Sequence, residues 1–589
     1  MGHFWVSMLK KSKKYDIVCL LERKQVFAER EVLDMKRKDL YPGTDDYRDL
    51  IENNGYYVDK TLFIEEFLKN KAKVTLITRP RRFGKTLNLT MMSEFLDITK
   101  DSKDIFKGTK IMDTEYANMI NSIPIILYSF KECNGADESE LIMYLKDVLY
   151  SEYERFDLLF EDKDRIPGSI FKRFLQYKEV LEALDSRLDL LKYVIPNTIP
   201  LLTQVVHEYY KVKPIVMIDE YDNPFIEAKT NGYYEDVRIM LAGIFGSTCK
   251  GNKNIDRGLL TGIQRIAQES IFSKFNNPSV CTVVDKKYSD KFGLTEDETK
   301  KYLEYFGYEL NEEVKEYYNG YKFFETNVYN PMSITSYIDN EGILQSYWIN
   351  TSSNQLILDV IPKAQKAFRN QFEHLIKTGT AEIRIDFMTT FQEKPTVKGL
   401  WGLLVNAGYV TINKVISRKD SKYEVKIPNN EVNEAFRDVV ALYINVDATI
   451  LDELFGAMLD VDIEEFENRY RDILLENTSF HDGSQKENSY NMLMLGMCVY
   501  LKDKYIVKSN VESGKGRADI ILSPKNDNDM NIILEFKSEE NLTLETSANN
   551  AIKQIEDEKY YAGMKGKVLM LGIAHRGKEC KVNNKMIEV

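Results

Sequence analysis

The sequence predicts a multidomain α/β protein: a parallel sheet flanked by helices, a helical and winged-helix-like middle region, and a second α/β unit at the C-terminus. Its 589 residues are too many for one core, and domains of roughly 100–200 residues imply about three or four. From Tyr56 to Gly262, short apolar runs alternate with amphipathic helical stretches, the pattern of strands joined by crossover helices. Beyond Leu501, three strand-like runs follow, with a helix before the last.

Residues 1–34 stand apart. Basic residues follow a short apolar patch and no small-residue cleavage site is present, so the segment is not a signal peptide. It reads as an extension, with Met35 of MKRKDLYPG as the alternative start. Thr61–Asn70 carries Leu62, Phe63, Phe67 and Leu68 at helical spacing. Val74–Thr78 is a short buried-strand run, and Leu87–Ile98 is helical again. The strand-like IPIILYSF is followed by long charged helices, and Ile215–Ile218 and Gly258–Gly262 supply two further strands. Ile334–Phe391 reads as mostly helical. GLWGLLVNAGYVTINKV, the turn SRKDSK and YEVKIP then predict helix, strand, turn and strand, a winged-helix-like arrangement whose plainer reading is a small packing domain. The expected boundaries are 35–330, 331–445 and 446–589.

Composition narrows the function. A net charge of −12 argues against a protein that coats nucleic acid constitutively, although local basic patches remain compatible with it. The six cysteines include no CxxC pair and the five histidines no ligand spacing, which points to reduced thiols in a cytoplasm rather than to a disulfide framework or a zinc site. No apolar run reaches the ~20 residues of a membrane helix.

Arg79 to Thr86 read RPRRFGKT, between a strand and a helix. A phosphate-binding loop requires this context, because backbone N–H groups and a helix N-terminus must face the anion. Gly84, Lys85 and Thr86 fill the last three positions of GxxxxGK[ST]. Lys85 is expected to neutralise β- and γ-phosphates, and the Thr86 hydroxyl to ligate Mg²⁺. Arg79 replaces the first glycine, and the run Arg79-Pro80-Arg81-Arg82 offers positive charge to the phosphates. In PIVMIDE, four apolar residues carry Asp219 to a strand end, where it would hold Mg²⁺, while Glu220 would polarise the attacking water. In GLLTGIQRI, Thr261 would sense the γ-phosphate and Arg265 reach it; an ordinary strand-to-helix turn reads equally well.

With these motifs in view, residues from about 38 to 355 resemble the AAA-ATPase-like family of bacterial and archaeal proteins, through YYVDKT, RPRRFGKT, IDEYDNP, LLTGIQRIAQES, FGLTEDE, YYNGYKF, VYNP and YWINTSSN. The resemblance implies a P-loop NTPase sheet, ATP and Mg²⁺, and makes Arg79 a family trait. The long separation of Lys85 from Asp219 implies a helical insertion. The role of Tyr318-Asn319-Gly320-Tyr321 is left open.

The C-terminal third holds a second constellation. Asp519 ends GRAD, and Glu535 and Lys537 lie in ILEFK. Side chains alternate along a strand, so Glu535 and Lys537 share one face while Phe536 enters the core. A hairpin through KNDNDMN would set Asp519 alongside. Carboxylates that hold a metal, with a lysine that orients water or offsets charge, suit phosphodiester hydrolysis. Glu487 is a candidate further metal ligand, and Gln554 a candidate contact to nucleic acid or to the lysine. The order of elements resembles the PD-(D/E)XK nuclease core, a restriction-endonuclease-like fold usually fused to this ATPase family, although Asn491 stands where relatives commonly place a histidine. The expected function is an ATP-binding and hydrolysing switch coupled to a Mg²⁺-dependent nuclease, with Mn²⁺ as the alternative ion. Its expected substrate is DNA, with RNA as the alternative, and defence or mobile-element biology is the expected setting. A homo-oligomer is compatible with this reading. The rival reading is a nucleotide-dependent sensor that binds nucleic acid through a degenerate nuclease fold.

Overall fold

The computed structural model describes residues 37–183, 187–266, 278–347, 365–389, 396–433, 448–476, 490, 493–494, 497–501, 504–526, 528–539 and 541–589. The proposed 1–34 extension therefore lies outside the described residues, as do Glu487 and Asn491.

The N-terminal half is built on β1 (Val74–Thr78), β2 (Ile125–Ser129), β3 (Ile215–Asp219), β4 (Gly258–Gly262), the short β5 (Arg265–Ile266) and β6 (Ser279–Cys281). All but β5 form one sheet in the order β2-β3-β4-β1-β6, with every pair parallel. Every residue of β1, β3 and β4 is buried, as expected of strands covered on both faces. The strand with Thr261 thus lies between the strand that leads into RPRRFGKT and the strand that ends at Asp219.

The expected insertion is present. Helices Glu138–Leu159, Gly168–Glu182 and Leu188–Tyr210 lie between β2 and β3 and share one apolar cluster with the sheet residues Leu76, Ile126, Val216 and Leu260, with Tyr153 stacked on Phe174 at 4.8 Å. Pro200 interrupts the third of these helices and cannot donate to the Pro196 carbonyl. The Ser247 hydroxyl donates to that carbonyl instead.

A small sheet of β7 (Leu294–Thr295), β8 (Tyr321–Phe323) and β9 (Thr326–Tyr329) follows, in the order β7-β9-β8. The middle region contains helix Lys366–Thr378, β10 (Thr380–Arg384), β11 (Met388–Thr389), helix Val397–Ala407, β12 (Thr411–Ser417) and β13 (Lys422–Lys426). Helix, strand, turn and strand occur in the order expected. The mostly helical reading of Ile334–Phe391 is corrected by β10 and β11. In β10, Ala381 and Ile383 are buried while Glu382 and Arg384 are exposed, a two-residue alternation too short to stand out beside an amphipathic helix.

The C-terminal sheet runs β14 (Tyr505–Ser513), β15 (Gly516–Pro524), β16 (Asn531–Lys537), β17 (Lys567–Arg576) and β18 (Glu579–Glu588), in sequence order, with helix Leu544–Glu558 between β16 and β17. Only the β16–β17 pair is parallel, joined by that helix. Five strands replace the three strand-like runs of the sequence. β18 escaped notice because Cys580 and Val582 are its only buried residues.

The Tyr318–Tyr321 motif is a joint. Gly320 adopts φ 120°, and a Cβ there would lie 1.9 Å from the Pro428 carbonyl oxygen. The Tyr321 hydroxyl donates to the Gly408 carbonyl at 3.1 Å, and its ring meets Phe83 of the RPRRFGKT loop edge-on at 5.0 Å. One apolar cluster continues from Phe83 and Leu89 through Tyr321, Trp401 and Val410 to Ile520, Leu534 and Leu571. Gly320→Ala is therefore expected to lower the melting temperature well beyond Gly563→Ala. Gly563 also has positive φ (84°) but faces open space, so its substitution should cost only the left-handed backbone term of about 1–2 kcal/mol. Paired thermal melts of the two variants check this.

Candidate nucleotide and phosphodiester sites

Gly84 caps helix Lys85–Leu96 in the left-handed conformation at φ 78°, and the helix N-terminus opens onto a cavity of about 830 Å³. Arg81, Arg82, Gly84, Lys85, Thr86, Lys131 and Glu220 line it. Tyr41–Asp45, Tyr56–Val58, Tyr302 and Met332 line it too. The Lys85 ammonium donates to the carbonyls of Pro80 (3.0 Å) and Arg79 (3.3 Å). Burial lowers its pKa, and the carboxylates of Glu220, Asp219 and Asp222 pull the other way.

The Asp219 carboxylate is held from two sides. Thr86 Oγ1 donates to Oδ2 at 2.6 Å, and the Thr261 hydroxyl donates to Oδ1. Glu220 follows at φ 49°, a left-handed backbone that a non-glycine residue holds only under strain. Burial raises its pKa, against Lys85 first and then Arg81 and Lys131. Asp222 accepts from the backbone N–H groups of Ile263 (3.0 Å) and Gln264 (2.6 Å), tying the end of β3 to the exit of β4.

Three expectations are corrected. Arg79 is 1% exposed and turned inward, away from the phosphate side of the loop. Its guanidinium donates to the carbonyls of Thr78 (2.8 Å), Cys281 (3.0 Å), Tyr288 (3.2 Å) and Lys287 (3.4 Å), and lies over the rings of Phe323 and Phe292. Burial pushes its pKa down to about 10, which leaves it charged at neutral pH. It clamps β1 to the β6 side of the sheet. Arg265 does not line the cavity; its strand β5 pairs in parallel with β11, directing this segment to the middle region. Thr261, expected to sense the γ-phosphate, is fully buried and does not line the cavity; its hydroxyl is taken by Asp219 instead. Arg82 does line the cavity, and its guanidinium rests on Met332 Sδ and the Tyr347 carbonyl.

In the C-terminal sheet the hairpin register sets Ile520 opposite Leu534, so Asp519 and Glu535 are the next facing positions. The two are interlocked: Phe536 N–H donates to Asp519 Oδ2 (2.9 Å), and Asp519 N–H to Glu535 Oε2 (3.3 Å). Gln554 from helix Leu544–Glu558 donates to Glu535 Oε1 at 2.5 Å and to the Tyr560 hydroxyl at 3.0 Å. Lys537 Nζ lies 3.6 Å from Glu535 Oε1. All four described residues of this constellation are brought together, with Gln554 on the carboxylate rather than on the lysine.

Residues 42–272 match the family model of a predicted AAA-ATPase, and residues 485–585 match that of the PD-(D/E)XK nuclease superfamily. The chain joins a predicted AAA-ATPase domain to a PD-(D/E)XK nuclease superfamily domain. An uncharacterized protein encoded in the vnfD 5' region of Azotobacter chroococcum mcd 1 is 23% identical over 425 residues, 71% of this chain and 73% of that protein. Among solved structures, the Walker-type ATPase PABY2304 of Pyrococcus abyssi aligns over 68% of this chain and 99% of its own, at 15% identity and a TM-score of 0.34. Both matched domains belong to hydrolase families, so the chain is a hydrolase in general terms.

The donor sets suit hard divalent cations. In the AAA-ATPase domain the Thr86 hydroxyl and the Asp219 carboxylate meet at one point, an all-oxygen set. In the nuclease domain Asp519 and Glu535 face each other with their oxygens already oriented by backbone N–H and Gln554. Among the described residues no group of three or more His, Cys, Asp or Glu is arranged to hold a metal, and Glu487 is outside them. No described helix is long and apolar enough to cross a membrane.

Sequence reading passed over Asp222, Lys60 and Lys131. Asp222 sits within IDEYDNP and Lys60 within YYVDKT, so motif membership was their signal. Lys60 donates to the Asp290 carbonyl (2.8 Å) and to Glu298 (2.5 Å), the residue that closes the capping box of helix Glu296–Phe306. Lys131 had no local signal.

Asp222 makes stability depend on pH. Burial first, then Glu220, push its pKa up to about 6, against the two backbone N–H bonds. A carboxyl raised above its unfolded value near 3.9 binds its proton more tightly when folded, so its contribution is full below about pH 4 and lost as pH rises through about 6. Asp222→Asn is expected to flatten that part of the decline in melting temperature between pH 4 and 7, measured by scanning fluorimetry across that range.

Proposed function

We propose that the chain is an ATP-binding and ATP-hydrolysing switch that controls a Mg²⁺-dependent nuclease acting on DNA phosphodiesters. The observation that carries this reading is the convergence of Asp519, Glu535, Lys537 and Gln554 within one hydrogen-bonded cluster, on a chain whose other half holds a loop, lysine and carboxylate set around one cavity.

At the first site, Lys85 and the N-terminal N–H groups of its helix take the β- and γ-phosphates, while Tyr56 and Tyr57 of the same cavity offer the base aromatic surface. Thr86 and Asp219 would hold Mg²⁺. Glu220, with its pKa raised by burial, is suited to polarise the water that attacks the γ-phosphorus. At the second site, Asp519 and Glu535, with Glu487 as the proposed further ligand, would hold the ion. A divalent ion bound there would lower the pKa of water and offset charge on the phosphate. Lys537 orients the nucleophile or neutralises the pentacoordinate oxygens, and Gln554 keeps Glu535 turned toward the site.

A route between the sites supports coupling. Asp222 grips the backbone of Ile263 and Gln264, the Tyr221 hydroxyl donates to the Gln264 carbonyl (2.7 Å), and Gln264 Oε1 accepts from Asn406 Nδ2 (3.0 Å) on helix Val397–Ala407. A shift at the end of β3 therefore bears on the middle region, and helix Lys366–Thr378 of that region contacts β14 of the nuclease sheet.

Plasmid and linear DNA cleavage with Mg²⁺ or Mn²⁺, with and without ATP, tests the reading. Lys537→Ala and chelation by EDTA are each expected to lower cutting by at least about 100-fold, and Lys85→Ala to remove the effect of ATP. Retained DNA binding without cutting by the wild type under any of these conditions would favour the sensor reading instead. Asn406→Ala is expected to leave the ATPase rate within about 2-fold while weakening the ATP dependence of cleavage, since it lies outside the cavity but on the route. Parallel ATPase and cleavage assays measure both.

A further inference from the structure

The three arginines of RPRRFGKT have separate fates. Arg79 is consumed by four main-chain carbonyls in the protein interior. Arg82, at φ 65°, lies against Met332 and the Tyr347 carbonyl, on the helix Pro331–Asp339 side of the cavity. Arg81 lines the same cavity as Lys85, Thr86 and Glu220, yet among the described residues its guanidinium has neither a hydrogen-bond nor an ion-pair partner. A permanently charged fork with five donors that the fold leaves unbonded inside a cavity is suited to an anion that arrives from outside.

Resting on the ATP-site reading above, we infer that Arg81 is the chain's own γ-phosphate arginine, a catalytic residue that touches the γ-phosphoryl oxygens and stabilises the charge that develops on them during hydrolysis. The placement follows from its neighbours. Arg81, Lys85 and Glu220 line one cavity, and the charge of Arg81 is felt at both of the others. In a P-loop site the lysine meets the β- and γ-phosphates and the acidic residue meets the attacking water. The group that such a lysine and such an attacking water share is the γ-phosphoryl, so a cation in the same cavity is placed to meet it.

The chemistry balances without a further reactant. Water oxygen bonds to the γ-phosphorus as the bond to the β,γ-bridging oxygen breaks. The electron pair leaves with ADP, and the water proton passes through Glu220 to solvent or phosphate. Arg81 stays protonated throughout. Its gain is electrostatic, because a permanently charged fork of donors strengthens its hold as charge builds on the γ-oxygens. It would do within one chain what a neighbouring subunit's arginine does elsewhere.

The test compares wild type, Arg81→Ala, Arg81→Lys and Lys85→Ala as full-length chains. Three readouts apply: steady-state ATPase kcat and KM, equilibrium binding of ADP and of a non-hydrolysable ATP analogue, and binding of ADP with aluminium fluoride as a transition-state mimic. Arg81→Ala is expected to lower kcat by about 10²–10³-fold, the usual loss for one transition-state donor. ADP affinity should stay within a few-fold, while the preference for ATP analogue over ADP and the added affinity for ADP–aluminium fluoride are lost. Arg81→Lys should recover part of each. Arg81→Ala that hydrolyses ATP at the wild-type rate, or that loses ADP and ATP analogue equally with a fallen melting temperature, overturns the assignment. A wild type that binds no nucleotide, indistinguishable from Lys85→Ala, overturns the site reading itself and the Arg81 role with it.

Discussion

The Asp219 carboxylate is the point on which the nucleotide half of the molecule turns. One oxygen accepts from Thr86 at the start of a helix, the other from Thr261 at the end of the neighbouring strand. Three elements far apart in sequence are thereby fixed to one buried group, and burying a carboxylate is tolerable only because both oxygens are satisfied. The sheet order explains why this geometry is available: β4 lies between β1 and β3, so its C-terminal hydroxyl faces the acidic end of β3. Asp222 repeats the device one turn later, on main-chain N–H groups. The strained backbone of Glu220 is held between these two anchors. Strain of that kind persists where the surroundings over-determine it.

Arginine 79 shows how a departure from a motif can be structural. A first glycine lets backbone approach phosphate closely. Here the position carries a side chain that leaves the loop altogether and knots β1 to the segment after β6. Four carbonyls are served by one guanidinium, at the cost of burying a charge that burial alone disfavours. The two aromatic faces beside it, Phe323 and Phe292, reduce that cost.

Much of this was legible in the sequence, for identifiable reasons. β1, β3 and β4 were readable because strands covered on both faces are continuous apolar runs, and the motif residues sit at their ends. Glu535, Lys537 and Asp519 were readable because alternation in a hairpin leaves few ways to place them. What stayed hidden depended on tertiary direction. Nothing local distinguishes Arg79 from Arg81, although one is turned inward and the other into the cavity. Arg265 followed a strand-end motif, but β5 pairs with β11, a contact across a long stretch of chain that no spacing reveals. β10 and β18 were hidden for a simpler reason: short or mostly exposed strands bury too few residues to print a period.

The continuous core bears on how such a molecule would transmit a signal. Separate domains joined by linkers can share a substrate but have little means of sharing strain. Here one apolar cluster runs from Phe83 in the phosphate loop, across Tyr321 and Trp401, to the strands that hold Asp519 and Glu535. Packed interiors deform little and tend to move between discrete arrangements. Close approaches such as Gly320 on Pro428 and Gly402 on the Asp386 carbonyl leave no room for gradual slippage. A nucleotide-dependent change at Asp219 and Asp222 would therefore reach the middle region as a displacement of whole elements, through β5–β11 and the Gln264–Asn406 bond, before any separate loop need move. Contact alone does not make coupling. The acidic end of β3 is bonded to the segment that pairs with the middle region, so both neighbours bias one position of that segment.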